Sequence, residues 1–234
     1  MVSVWVRRAD CPSRIIMYIS NGIDSDYSCK LDVIVRGFGG YNTRVTKHFI
    51  SHILKNEAVN SKIELMTVFF GTNDACTNAD ALVSIDDYQE NLRYITGQIK
   101  SIGTKPIIIG PTLHGGTDPS RSSTRNLQYS EAAKKVSQEL EVPFVDLWHA
   151  FASTLGYKEG DIHPGEKGGA NCDELFVDGI HFSSQGYKIL YNELLKTIET
   201  HYPKLHFDNI PSHFPLWETV KKDIPGFIDH GIPN

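Results

Sequence analysis

Three short stretches bring together residue types that can do chemistry. The first is RGFGGYNT at 36–43, where three glycines fall within four positions. Glycines so spaced permit positive φ and turn backbone N–H groups toward a ligand. The same residues also make a plain strand-to-helix turn. They are not a dinucleotide-binding fingerprint, because G-x-G-x-x-G needs glycine where Asn42 stands. The second stretch is FFGTNDAC at 69–76. An Asn73 amide at the mouth of a sheet can donate to a developing oxyanion, with Gly71 leaving room for close approach. Asn73 or Asp74 can equally cap the segment that follows. The third is VDGIHFSSQGY at 177–187. Asp178 and His181 are three apart, near enough for the carboxylate to accept from one imidazole nitrogen and leave the other as a base. A capping or packing histidine would read the same way.

The elements that must position these groups are short apolar runs alternating with amphipathic segments. LDVIV (31–35), KIELMTVFF (62–70), KPIIIG (105–110) and PFVDLW (143–148) read as buried strands. Helices are expected over Arg44–Glu57, with Phe49, Ile53 and Leu54 on one face, and over Ser84–Ile102, with Tyr88, Leu92, Ile95 and Ile99 in register. The latter starts on an S-x-x-D signal and stops at Gly103. Asn126–Glu141 and Ser184–His201 complete the set, the last burying Ile189, Leu190, Leu194 and Ile198. The polar stretches 111–125 and 156–177 read as surface loops. This alternation predicts an α/β fold, a parallel sheet with helices on both faces. In such sheets functional groups gather beyond the carboxyl ends of the strands, and all three stretches obey that rule.

Composition narrows the function class. The length fits one domain spanning 1–234, with an atypical N-terminus over 1–22 and an aromatic, proline-rich tail over 203–234 expected to wrap the body. That tail is also a surface through which a homo-oligomer could form. A formal net charge of −5 offers no general attraction to nucleic acid or to an anionic membrane surface. No apolar run approaches bilayer length, and IIMYI is too short for a secretory core. Cys11, Cys29, Cys76 and Cys172 form no C-x-x-C pair, so a metal site is not expected and reduced thiols in a cytoplasmic protein fit best.

Taken together, the glycine-rich turn, G-x-N-D, and D-x-x-H before a terminal helix resemble the SGNH (GDSL-type) hydrolase family. RGFGGYNTR, FFGTNDAC, KPIIIGPT, VPFVDLW, DGIHFSSQGYKI and the tail FPLW are similar to its isoamyl-acetate-hydrolysing esterase branch. The resemblance runs from about Leu31 to the tail. It implies a flavodoxin-like three-layer αβα sandwich, hydrolysis of small short-chain acetate esters by a serine nucleophile, and no cofactor. It further implies that Gly40 and Asn73 form the oxyanion hole, that His181 is the general base, and that Asp178 orients it.

The family's opening Gly-Asp-Ser block is absent, since only thirty-six residues precede Gly37. Ser25, in Gly-Ile-Asp-Ser, has the wrong order and aligns with a helix that precedes the glycine-rich turn in the family. Ser20 is the remaining candidate nucleophile. If Ile15–Ile19 replaces the missing central strand, Ser20 emerges at its carboxyl end. The return to Leu31 is then ten residues, short of the dozen a parallel crossover usually takes, and Asn21-Gly22 could make a hairpin instead. No G-x-S-x-G elbow exists. The alternative reading is a nucleophile-deficient or truncated relative that keeps the cleft with little or no esterase activity.

Overall fold

Along β4, Lys62–Phe69, every residue after the first is buried, which happens only when both faces of a strand are covered. The computed structural model describes residues 2–8, 13–15, 26–27, 30–59, 62–212, 217–222 and 224. It shows six strands, β1 (Val2–Arg8), β2 (Ser13–Ile15), β3 (Leu31–Val35), β4, β5 (Lys105–Ile109) and β6 (Phe144–Val145), in the order β2-β3-β1-β4-β5-β6. The helices that cover the sheet are α1 (Thr43–Glu57), α2 (Ile85–Ser101), α3 (Ser123–Glu139), α4 (Leu147–Thr154) and α5 (Ser184–His201).

Alternation along the strands sorts the core into two layers. Leu65, Phe69, Ile107 and Ile109 face α4 and α5, where Trp148, Phe151, Leu190, Leu194 and Ile198 are buried. Met66, Val68 and Ile108 face the opposite side, against Ile50 and Leu54 of α1, Leu92 and Ile95 of α2, and Ala133 and Val136 of α3. The expected three-layer αβα sandwich is therefore present. Each long helix begins on a side-chain cap: Asn42, Ser84, Ser122 and Ser183 each accept from a backbone N–H three residues on. Over residues 203–210 the chain folds back on the body: Leu205, Phe207 and Ile210 pack on the first core layer. The Tyr27 hydroxyl donates to Leu205 O at 2.8 Å.

The strand beside β4 is not the expected one. The central slot assigned to Ile15–Ile19 is filled by Val2–Arg8, antiparallel to both neighbours, with Val4 opposite Val35 on β3 and Val2 opposite Phe69 on β4. Ile15 belongs to β2, which pairs parallel with the outer edge of β3, and residues 16–19 lie outside the described residues. The physical reason is pairing length. β1 offers seven residues against β4, whereas β2 contributes three against β3. An antiparallel strand also escapes the crossover that a ten-residue return could not supply. The period-2 valines of VSVWV were the signal for this strand. Two smaller corrections follow the same logic. PFVDLW is strand only at Phe144–Val145, because Asp146 caps α4 by accepting from His149 N. On α1 the buried stripe is Thr43, Thr46, Ile50 and Leu54, while Phe49 is exposed.

Candidate active site

The carboxyl ends of β3 and β4 open onto a cleft of about 320 Å³. Its floor on one side is the turn after β3, where Gly40 takes φ +77°. Among the described residues no acceptor meets the Gly40 N–H. Tyr41 stacks on Phe38 at 5.0 Å, and Asn42 anchors the turn by donating from Nδ2 to Ala81 O at 2.7 Å.

The loop after β4 supplies the opposite wall. Gly71 takes φ +120°, and a Cβ there would lie 2.6 Å from Pro111 Cγ and 2.9 Å from the Tyr88 hydroxyl, so only glycine fits. Asp74 is fully buried and ties the two walls together. Its Oδ1 accepts from Thr43 N at 2.9 Å and from the Thr43 hydroxyl, and its Oδ2 accepts from Gly71 N at 3.2 Å. Burial pushes this carboxyl's pKa up, and the bonds from Thr43 and Gly71 oppose the rise. The capping role open to Asp74 is thus real, but it caps α1, thirty-one residues back in sequence, rather than the segment that follows. Asn73 points its Nδ2 at Tyr41 O, 3.0 Å away, while its Oδ1 accepts from Arg121 at 3.1 Å.

The third wall is the loop before α5. Asp178 Oδ2 accepts from His181 Nδ1 at 2.6 Å, and its Oδ1 accepts from the backbone N–H groups of His181 at 2.8 Å and Ile180 at 3.0 Å. The His181 N–H, its ring and the Ile180 N–H hold the Asp178 carboxyl well below the usual carboxylate range. With Nδ1–H committed to Asp178, the neutral ring keeps its lone pair on Nε2. The loop is fastened by Gly179, whose carbonyl accepts from Gly115 N at 3.0 Å and His114 Nδ1 at 2.9 Å.

Gly40, Asn73 and His181 all line the cleft, with Asp178 directly behind the imidazole. Ser20 and Ser25 lie outside the described residues. Among the described residues no hydroxyl is bonded to His181 Nε2. Arg121 also lines the cleft, although the 111–125 stretch reads as surface in sequence. Part of that stretch is interior: Pro111–His114, Ser120 and Ser123 are buried. Nothing in D-P-S-R announces a contact forty-eight residues away. Apart from the cleft, Glu131, Asp146 and His149 gather three ligand atoms within 4.8 Å of one another. Asp146 there is already engaged by His149 Nδ1 at 2.8 Å and Lys134 Nζ at 3.3 Å, and the group does not line the cleft.

The profile of the GDSL-like Lipase/Acylhydrolase family matches residues 10–189. The chain belongs to that family. Membership places it among the carboxylic ester hydrolases. The isoamyl acetate-hydrolyzing esterase of Saccharomyces cerevisiae is 34% identical over 211 residues, covering 85% of this chain and 82% of the yeast protein. The Schizosaccharomyces pombe protein of the same name is 28% identical over 201 residues, covering 83% and 73%. These relatives represent the branch that the motifs resemble. Among solved structures, Axe2, an acetylxylan esterase from Geobacillus stearothermophilus, superposes with a TM-score of 0.60 at 22% identity, covering 77% of this chain and 78% of Axe2. That likeness supports the fold alone. Among the described residues no helix is long and apolar enough to cross a membrane.

Proposed function

We propose that the chain hydrolyses small, neutral, short-chain acetate esters through an acyl-enzyme. A serine attacks the carbonyl while His181 Nε2 takes its proton. Asp178 holds the ring and balances the imidazolium, and the Gly40 N–H and an Asn73 Nδ2–H donate to the oxyanion. Protonated His181 then delivers its proton to the leaving alcohol, and water repeats the sequence on the acyl-serine. The observation that carries this reading is that Gly40, Asn73 and His181 surround one cleft, with Asp178 2.6 Å behind the base. The cleft's size, at the lower end of the ~300–1,000 Å³ of ligand pockets, and its Phe69, Phe70, Phe182 and Tyr187 lining suit a small apolar ester. Isoamyl acetate is the ester in the names of the two yeast relatives.

A second reading has its own support. β1 runs antiparallel, so its carboxyl end, Arg8 beside Lys62, sits at the opposite edge of the sheet from the cleft. The central strand therefore cannot deliver a nucleophile as the family's Gly-Asp-Ser block does. That favours a nucleophile-deficient relative with little turnover. One experiment separates the two. The purified full chain is treated with a fluorophosphonate, adducts are mapped by mass spectrometry, and p-nitrophenyl acetate hydrolysis is followed with His181→Ala beside it. A labelled Ser20, with turnover falling roughly a thousandfold or more in the variant, supports the esterase. Folded protein with neither label nor turnover sinks it in favour of the second reading.

A further inference from the structure

Arg121 is placed where a surface arginine would not be. Its side chain is only 14% exposed, although it comes from the connection between β5 and α3. Nη1 donates to Thr72 O at 2.7 Å, Nη2 donates to Asn73 Oδ1 at 3.1 Å, and Nε lies 3.4 Å from Asp118 Oδ2. Asp118 is itself fixed by the Ser120 N–H at 2.9 Å and the Ser120 hydroxyl at 2.7 Å. Ser120 O in turn accepts from Thr77 N at 2.8 Å, which docks the whole connection onto the loop after β4.

Donor chemistry decides what this clamp does to Asn73. A guanidinium has donors and no acceptor, so the amide must turn Oδ1 toward Arg121. Tyr41 O accepts and cannot donate, so the amide must turn Nδ2 toward Tyr41. The two contacts demand the same orientation. The N–H of Nδ2 not used by Tyr41 is then available at the cleft wall, and a cation on the amide oxygen strengthens the amide as a donor.

We propose that Arg121 is a positioning residue for the oxyanion hole: by holding Asn73 Oδ1 and Thr72 O it commits the Asn73 amide to present Nδ2–H to the cleft. The inference rests on the esterase reading for its kinetic consequence, but the amide orientation itself does not. Without Arg121 the amide loses the partner for its oxygen and can turn about its terminal torsion, so the donor is present but aimed for only part of the time. Losing an oxyanion donor outright costs about 10²–10³ in kcat, so releasing one is expected to cost about 10–100-fold.

The test uses the full chain with Arg121→Ala, Arg121→Lys, Asn73→Ala and the double variant Arg121→Ala/Asn73→Ala. For p-nitrophenyl acetate, Arg121→Ala is expected to lower kcat about 10–100-fold with KM within about threefold. The double variant should be no worse than Asn73→Ala by more than about threefold, since both changes remove one donor. Arg121→Lys should recover part of the loss, because an ammonium keeps the charge without the planar fork. The second readout is the Asn73 side-chain amide pair in a ¹H–¹⁵N spectrum, identified by its disappearance in Asn73→Ala. The two lines, kept apart in every variant by slow rotation about the amide C–N bond, should shift toward the positions of an unpartnered amide in Arg121→Ala and stay near the parent's in Arg121→Lys. If the parent shows no turnover, the esterase reading fails, and the amide lines alone decide the role of Arg121. A kcat within twofold of the parent, a double variant whose loss is the product of the singles, or amide lines unchanged in Arg121→Ala would each overturn the proposal. Should Arg121→Ala not fold, the spectrum of Arg121→Lys and its kcat-to-KM split carry the test.

Discussion

Asp74 offers the sharpest check on how the cleft is held open, because its removal does not depend on turnover. Asp74→Ala leaves three donors without their acceptor: Thr43 N, the Thr43 hydroxyl and Gly71 N. A buried donor left unmet costs about 1–3 kcal/mol, so three would cost roughly 3–9 kcal/mol with no relaxation. Three effects reduce this. The hydroxyl can rotate, the vacated carboxyl space can admit a water that re-satisfies two donors, and the desolvation that raises the Asp74 pKa disappears with the carboxylate. A net loss of about 2–4 kcal/mol remains, a large part of a typical 5–15 kcal/mol domain stability. Urea unfolding at neutral pH measures it, with exposed Asp80→Ala expected within about 0.5 kcal/mol of the parent as control. The sign of the pH dependence is also fixed. A carboxyl whose folded pKa is raised binds its proton more tightly when folded, so its contribution is fullest below about pH 4 and declines as pH rises through the folded pKa. The Asp74→Ala difference should therefore be no smaller at pH 5 than at pH 8. A difference below about 1 kcal/mol at neutral pH would show that water already serves these donors and would refute the tie between the two walls.

Two further outcomes are expected. Gly71→Ala must accept φ +120° and a Cβ 2.6 Å from Pro111 Cγ, so strain of about 1–3 kcal/mol adds to overpacking of about 1–3 kcal/mol in urea unfolding; a loss under 1 kcal/mol would mean that Pro111 simply moves aside. Asp178 shows the opposite pH sign to Asp74: its carboxyl is depressed by the His181 and Ile180 N–H groups and the His181 ring, so its contribution is present above about pH 4 and is lost as pH falls toward the folded pKa. The stability gap between parent and Asp178→Asn should shrink on acidification from pH 4, and a gap that widens there would contradict the bonding described.

Much of this arrangement is legible in sequence because its parts are local. Asp178 and His181 meet within a single turn, Gly40 and Asn73 each lie in the turn after a strand, and Tyr88, Leu92, Ile95 and Ile99 announce α2 by spacing alone. What sequence does not convey is set by tertiary competition. Phe49 and Ile50 are adjacent on α1, and only the approach of the sheet decides that Ile50 is buried while Phe49 lies outside near Tyr41. The break inside PFVDLW turns on whether Asp146 extends a strand or caps a helix, and the buried pair Leu147 and Trp148 suits both periods. The Arg121 clamp and the direction in which β1 pairs depend on partners dozens of residues away, which neither motif nor periodicity encodes.

The direction of β1 bears most heavily on catalysis. Gly40, Asn73 and His181, the oxyanion donors and base of the proposed mechanism, are carried by the turns after β3 and β4 and by the loop before α5, so they do not need the first thirty residues to be placed. The nucleophile does. β2 runs parallel to β3, so its carboxyl end at Ile15, level with Val33, points toward the cleft side of the sheet from two strand spacings beyond the central slot. Two spacings are roughly 9–10 Å, and the five residues from Ile15 to Ser20 can reach at most about 17 Å. Chain length therefore permits Ser20 to approach the slot, and among the described residues no strand runs up to it. A misplacement of about 1 Å costs on the order of a hundredfold in rate. If fluorophosphonate does label Ser20, labelling should run ahead of turnover: a reactive phosphorus tolerates an imperfect approach, whereas an ester demands the serine, His181 and the Asn73 amide in register at once. Rapid turnover together with labelling at Ser20 would contradict this argument and would require a rigid element to carry that serine.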